Sequence, residues 1–210
     1  MKIFLAILLV LCPGVVFAGA QQYEPLAAAV QTALHYAVSD SDRSPPTQAI
    51  DSQDFRRWLT SMSTRLRKRM PDETARTEFL TAVYYESVRA GLDPQLVLGV
   101  IHVESAFRKY AVSGASARGY MQVMPFWVQS IGRKGHDLFH LRTNLRYGCT
   151  ILRHYLDIER GNVFRALGRY NGSLGKPAYP TIVTKARDNF WKFTDADVAR
   201  AADPVRVSLN

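Results

Sequence analysis

The chain has 210 residues, of which 47% are hydrophobic and 21% are charged, and its formal net charge is +9 at pH 7. This composition excludes an intrinsically disordered chain, because it supplies enough apolar side chains for a core, and the length suits one domain of good size. The positive charge suits an anionic partner, which is nucleic acid for many cytosolic proteins and the cell envelope for an exported one.

The first 20 residues have the pattern of a secretory signal peptide. Lys2 gives a positive start, a short apolar run follows over residues 3–10, and the small residues 18–20 form a cleavage site before Gln21. The apolar run is shorter than the about 20 residues that span a bilayer, which argues against a membrane anchor. We therefore predict export to the periplasm or the cell envelope, no integral membrane span after cleavage, and no nucleic-acid partner.

The rest of the chain has the periodicity of helices and almost none of the alternation of strands. Residues 26–38 predict a short helix, and the Ser-, Asp- and Pro-rich stretch over residues 39–48 predicts a linker. Apolar residues then recur at three- and four-residue steps through residues 55–66 and 79–88. Further helices are predicted from their start signals, which are Asp93-Pro94, Asn144 as an N-cap, Asn162 as an N-cap, and Pro180. The predicted fold class is all-α.

One of these helices carries a carboxylate on its apolar side. Residues three and four positions apart share a helix face, so Glu104 lies on the same stripe as Val100 and Ile101. An ionised carboxylate is costly there unless it is paired. We expect Glu104 in a cleft, where desolvation raises its pKa and lets it act as a general acid near neutral pH. The alternative is a structural Glu104 at a helix end that pairs with Arg108.

Two later stretches place polar side chains among apolar ones. Residues 113–125 form a glycine-punctuated loop that leads into amide and thioether side chains, and residues 168–173 read Gly-Arg-Tyr-Asn-Gly-Ser. Amides and hydroxyls can bond sugar hydroxyls and acetamides, while tyrosine and methionine offer apolar faces to a sugar ring. The two stretches favour a sugar polymer as substrate. The histidines show no metal-ligand spacing, so no metal site is predicted.

Four motifs occur in the order and spacing of the soluble lytic transglycosylase (SLT) domain, and the chain resembles this family over about residues 75–190. The motifs are Glu104-Ser105, the run Gly119-Tyr120-Met121-Gln122-Val123-Met124-Pro125, Asn144 with Gly148, and Tyr170-Asn171. The resemblance implies a lysozyme-like helical fold and peptidoglycan as substrate. It also implies cleavage of the β-1,4 bond between N-acetylmuramic acid and N-acetylglucosamine, with a 1,6-anhydromuramic end, and no cofactor.

The resemblance also implies roles for single residues. Glu104 is the expected catalytic acid/base. The expected substrate-binding residues are Ser105, Ser113, Gln122, Met124, Tyr170 and Asn171. The hydroxyl of Tyr170 is expected to orient Glu104 or the bound sugar. Three alternatives stay open, namely Ser113 as only a loop cap, Met124 as a core residue, and Tyr170 as only a core residue.

Two positions depart from the family pattern. Tyr120 replaces the usual leucine, and Tyr-Asn-Gly-Ser at residues 170–173 replaces Tyr-Asn-Ala-Gly. The second variant resembles small transglycosylases that accompany secretion or conjugation machinery, which makes such an apparatus a candidate partner. The predicted division of the chain is a signal peptide (1–20), an N-terminal helical extension with linker (21–50), an SLT-like catalytic domain (51–200) and a tail (201–210).

Two other functions stay open from the sequence. A muramidase-type hydrolase of the same fold needs a second carboxylate that faces Glu104, and Asp137 or Asp157 could supply it. A non-catalytic wall-binding accessory of a secretion apparatus would bind the wall whether or not Glu104 is intact.

The signal peptide generates a prediction about the mature chain. We expect residues 1–20 to be removed on export, because the charged start, the short apolar run and the small residues together fit the requirements of a signal peptidase. N-terminal sequencing of the protein recovered from the envelope should begin at or near Gln21. An intact Met1 on an active, membrane-bound form would contradict the prediction.

Overall fold

The computed structural model describes residues 21–39, 52–194 and 197, and this part of the chain forms eight α-helices and one π-helix. In chain order these are α1 (Ala28–Val38), α2 (Gln53–Leu66), α3 (Glu73–Arg89), α4 (Pro94–Ser105), α5 (Phe126–Ile131), α6 (Leu141–Ile158), α7 (Val163–Asn171), α8 (Ala178–Ala186) and the π-helix Arg187–Trp191. Among the described residues, β-type pairing is limited to two isolated bridges, which join Arg118 to Val112 and to Val123. The predicted all-α class is confirmed.

Side-chain caps explain where several helices begin. Asp72, Asp93 and Asn162 each accept a backbone N–H from the first turn of the helix that follows, at 2.7, 2.9 and 3.0 Å. The predicted starts after Asp93 and Asn162 are confirmed. The predicted cap at Asn144 is wrong, because α6 begins at Leu141 and Asn144 lies inside the helix. Helix α5 was not predicted, since six residues are too few to show a helical period.

The last helical segment corrects a second expectation. The sequence predicts Ile182 and Phe190 on the apolar side of a helix after Pro180, but these side chains are 41% and 52% exposed. Ile182 lies at the edge of the buried face of α8 and not at its centre. For Phe190 the reason is the π-helix over 187–191, whose wider turn shifts the register of the residues within it. The side chain that reaches the core there is Trp191, with 1% exposure.

Helix α4 lies at the centre of the body, where it packs against α3, α8 and the π-helix. Every residue from Leu96 to Ile101 is buried. Immediately after the helix, Ala106 and Phe107 take positive φ angles of 49° and 67°, a left-handed conformation that is uncommon for residues with a side chain. The chain therefore turns sharply away from α4 next to Glu104.

The N-terminal segment packs on this body, with α1 against α5 and α6. None of the described helices combines the length and the apolar character that a membrane crossing requires. The predicted signal peptide, the predicted tail and all of the predicted linker except Ser39 lie outside the described residues. The division of the chain into these segments stays a prediction.

The loop between α4 and α5 is held at the backbone of Met121. The Met121 N–H donates to Oδ1 of Asn144 at 2.8 Å, and the Met121 carbonyl accepts the hydroxyl proton of Tyr170 at 2.8 Å. The side-chain amide of Asn144 also donates to the carbonyls of Arg118 and Leu138, both at 2.8 Å. An asparagine that points out of α6 thus supplies three hydrogen bonds to the loop and its surroundings.

Gly148, one turn after Asn144, gives Met121 the space it occupies. A Cβ atom built on Gly148 would lie 2.3 Å from the sulfur and 2.8 Å from the Cβ of Met121. Met121 cannot move away without breaking the hydrogen bonds of its backbone N–H and carbonyl groups to Asn144 and Tyr170. Glycine is required at this position because Met121 lies so close to the helix backbone, and not because of the backbone angles of Gly148 itself.

We expect Gly148→Ala to lower the free energy of unfolding by about 1–3 kcal/mol, because the added methyl overlaps a pinned residue. Thermal or denaturant unfolding measures the change. Gly114→Ala is the matched control, since its Cβ meets no atom within 4 Å and its φ is not positive. The control should change stability by no more than about 0.5 kcal/mol, and equal effects of the two variants would contradict this account.

Candidate active site

Glu104 occupies the last turn of α4 and is 5% exposed. Its Oε1 accepts the hydroxyl proton of Tyr179, from the first turn of α8, at 2.5 Å. Tyr179 is itself only 1% exposed. A hydrogen bond to an ionisable group is strong in such surroundings, because little water competes for either partner. The contact between α4 and α8 therefore fixes the orientation of the carboxyl group.

The pKa values of Tyr179 and Tyr170 are both raised well above the ordinary tyrosine range. Desolvation by burial is the larger cause in each case, and the negative charge of Glu104 adds to it. Both hydroxyls consequently keep their protons and remain donors.

Sequence reasoning did not select Tyr179. The available signal was its place one residue before Pro180, at the start of a helix whose inner side carries Val183 and Ala186 at four and seven positions on. That pattern predicts a buried tyrosine but no partner for its hydroxyl. Only the packing of α8 against α4 identifies Glu104 as the partner.

Tyr170 is completely buried, which agrees with its predicted place on the inner side of a short helix. Its hydroxyl donates a hydrogen bond to the carbonyl of Met121, whereas the hydroxyl that donates to Glu104 is that of Tyr179. The predicted role of the Tyr170 hydroxyl in orienting Glu104 or the sugar stays a prediction. What the structure shows is that the Tyr170 hydroxyl anchors the loop that follows α4.

The two predicted serines are both bonded to the backbone. The Ser105 hydroxyl donates to the carbonyl of Ile101 at 3.2 Å, one turn back in α4. The Ser113 oxygen accepts the N–H groups of Ala115 and Ala117 at 3.3 and 3.1 Å, as a loop cap does. Ser113 is half-buried, so part of its surface stays accessible.

Gln122 braces the same loop. Its amide nitrogen donates to the carbonyls of Ala111 and Gly119 at 3.1 and 2.9 Å, its φ is +49°, and it is 2% exposed. Met124 is half-buried against the core, and Asn171 is buried at the end of α7. The substrate-binding roles of these residues stay predictions, and the geometry assigns Gln122 a structural role in the loop as well.

The carboxylates proposed as partners for a hydrolase do not share the buried surroundings of Glu104. Asp137 is exposed and accepts the N–H of Phe139 at 2.8 Å. Asp157 has a side chain that is 64% exposed and forms an ion pair with Arg153 on the outside of α6. Both carboxylates are thus bonded to neighbours in their own segments, and neither shares the buried contact that holds Glu104.

Comparison with known proteins gives a consistent result. The family model described as Transglycosylase SLT domain matches residues 82–187. The "Membrane-bound lytic murein transglycosylase C" of Glaesserella parasuis serovar 5 is 49% identical over 102 residues, which are 46% of this chain and 26% of that protein. The "Transglycosylase" of Enterobacteria phage PRD1 is 37% identical over 86 residues, which are 41% of this chain and 31% of that protein.

A third relative, "Membrane-bound lytic murein transglycosylase C" of Actinobacillus pleuropneumoniae serotype 5b, is 43% identical over 67 residues, which are 31% of this chain and 18% of that protein. The chain thus spans less than a third of the length of each of these relatives. The family match, however, covers half of the chain. It includes α4, α6, α7, Tyr179 and the pinned loop, which is the loop between α4 and α5 that is hydrogen-bonded at Met121. The chain belongs to the Transglycosylase SLT domain family and has its all-α, lysozyme-like fold.

Proposed function

We propose that the protein is a peptidoglycan lytic transglycosylase. It cleaves the β-1,4 bond between N-acetylmuramic acid and N-acetylglucosamine and leaves a 1,6-anhydromuramic end. The observation that carries the proposal is the buried Glu104 carboxyl, held by Tyr179 at the end of the central helix. The names of the relatives, lytic murein transglycosylase C and transglycosylase, support the choice of substrate.

The reaction needs one group that first gives and then takes a proton. Protonated Glu104 donates to the glycosidic oxygen as the bond to the anomeric carbon breaks, and the N-acetylglucosamine side leaves as an alcohol. The muramic 6-hydroxyl then attacks the anomeric carbon, and its proton goes to the Glu104 carboxylate. The nucleophile belongs to the substrate, so no water is consumed and Glu104 ends in its starting state.

Tyr179 has a defined part in this cycle. When Glu104 has lost its proton, the Tyr179 hydroxyl donates to the resulting carboxylate and stabilises it between the two steps. The raised pKa of Tyr179 keeps that donor protonated throughout. The exposed positions of Asp137 and Asp157 favour this one-carboxylate reaction over a hydrolase, in which two carboxyl groups flank the bond.

The proposed substrate and the predicted signal peptide both support a location in the periplasm or elsewhere in the cell envelope. A secretion or conjugation apparatus stays a predicted partner, on the strength of the variant motif at residues 170–173. Such machines must pass through the wall, and an enzyme that opens glycan strands would serve that passage.

The first test removes the proton of Glu104. Glu104→Gln keeps the shape of the side chain, and we expect a folded protein whose activity on purified peptidoglycan falls by about two orders of magnitude or more. Mass spectrometry of the products of the unaltered protein should show ends that are one water lighter than hydrolysis gives. Near-normal activity of the variant would overturn the role of Glu104, and reducing ends would show a muramidase.

The second test separates the two buried tyrosines. Tyr179→Phe removes the hydrogen bond to Glu104, which is worth about 1.5–3 kcal/mol for a charged partner, so turnover should fall by about 10- to 150-fold. Tyr170→Phe removes the bond to Met121 and should lower the free energy of unfolding by about 1 kcal/mol. Turnover per folded molecule and the thermal midpoint are measured on the same preparations. A larger loss of turnover in Tyr170→Phe would return the orienting role to Tyr170.

A further inference from the structure

The N-terminal arm, defined as residues 21–27, lies outside the family match and forms one wall of a groove. Gln21 is 4% exposed and accepts the indole N–H of Trp127 at 2.9 Å. Glu24 forms an ion pair with Arg169 of α7 at 3.5 Å. The arm is therefore attached to α5 and α7, the two helices that border the pinned loop and Tyr170.

Helix α1 continues this attachment along α5. The Gln31 amide nitrogen donates to the carbonyl of Ser130 at 2.7 Å, and Nδ1 of His35 bonds to the carbonyl of Ile131 at 3.0 Å. Since these contacts follow one another along α5, the arm and α1 hold a fixed position beside it. The groove between them is therefore held open by specific hydrogen bonds on both sides.

The groove has a volume of about 520 Å³, and the described residues that line it are all uncharged. Tyr23 and Phe126 meet edge to face at its side, with ring centroids 5.6 Å apart, and the Tyr23 ring is 63% exposed. Gln31, Gln129 and Ser130 add amide and hydroxyl groups. This combination suits a sugar ring, whose C–H face stacks on an aromatic ring while its hydroxyls and acetamide bond to amides.

The groove also lies next to the cleft that the proposed function requires. Phe126 is two residues after Met124, a predicted cleft residue, and consecutive Cα atoms are about 3.8 Å apart, so the two Cα atoms are within about 8 Å. The backbone N–H of Trp127 bonds to the Met124 carbonyl at 3.1 Å, which keeps this turn compact. A glycan strand bound at Met124 would therefore lie close to Phe126.

We propose that this groove binds an N-acetylglucosamine ring of the glycan strand, distal to the bond that is cleaved. The inference rests on the proposed function, because it takes the glycan strand as the substrate. The uncharged character of the described lining residues favours the neutral sugar over the stem peptide, because none of these residues offers a cation to the carboxylates of the peptide. The N-terminal arm thereby extends the substrate site beyond the family domain.

The test measures binding in the absence of cleavage. In the Glu104→Gln background, calorimetric titration with the β-1,4-linked hexamer and trimer of N-acetylglucosamine gives the affinity for a long and a short strand. Tyr23→Ala should weaken hexamer binding about five- to tenfold, the worth of one aromatic contact, and Gln129→Ala about threefold. Trimer binding should not change, because the trimer is too short to fill both the cleft and the groove.

Tyr36→Ala is the matched control, since this tyrosine belongs to the same N-terminal segment, is 73% exposed and does not line the groove. Unchanged hexamer affinity in both groove variants would overturn the proposal, as would an equal loss in the control. Binding of the free stem peptide that Tyr23→Ala abolishes would overturn the choice of sugar. Failure of the proposed function shows separately, as an absence of wall cleavage by the unaltered protein.

Discussion

The peptide groups on either side of Met121 are bonded to two different helices, and the catalytic region is organised around this constraint. Asn144 of α6 accepts the N–H, Tyr170 of α7 donates to the carbonyl, and Gly148 leaves room for the side chain. The loop that follows Glu104 is shaped by turns, isolated β-bridges and the side chains of Ser113 and Gln122, and the contacts at Met121 anchor it to α6 and α7. Residues of three of the four family motifs, which lie far apart in the sequence, therefore depend on one another.

Burial of a carboxyl group sets the second requirement. Glu104 would be costly in an apolar core without a hydrogen-bond partner, and Tyr179 provides one that stays protonated because burial raises its pKa. The same arrangement suits a group that must carry a proton and then release it. The hydrogen bond from Tyr179 to Glu104 thus offsets the cost of burying the carboxyl group and also suits its proposed chemistry.

The N-terminal segment is tied to this body by charge as well as by packing. Glu86 and Arg146 form an ion pair with 1% exposure on each side, and Arg146 and Arg89 also donate to the carbonyl of Ala37 at the end of α1. Removal of either member of such a pair leaves a buried charge, which costs about 3–5 kcal/mol. The position of α1, and with it the wall of the groove at Tyr23, is therefore linked to the core of the family domain.

The sequence by itself determined what depends on near neighbours in the chain. The helical class, the caps at Asp93 and Asn162, and the place of Glu104 on a buried stripe all follow from periods of three and four residues and from local hydrogen bonds. The motif order was sufficient to indicate the family, because it is a linear property that needs no geometry.

Tertiary structure decided the identity of the partners. Asn144 is a residue type that often caps helices, but here it lies inside α6 and its side chain bonds to backbone groups of the loop that packs on that helix. Tyr179 lies 75 residues from Glu104, and no local pattern relates the two. Trp191 reaches the core only because a π-helix shifts the register. Each of these outcomes depends on which surfaces meet when the helices pack. Packing is determined by many side chains that are distant in the sequence, so no local pattern can predict it.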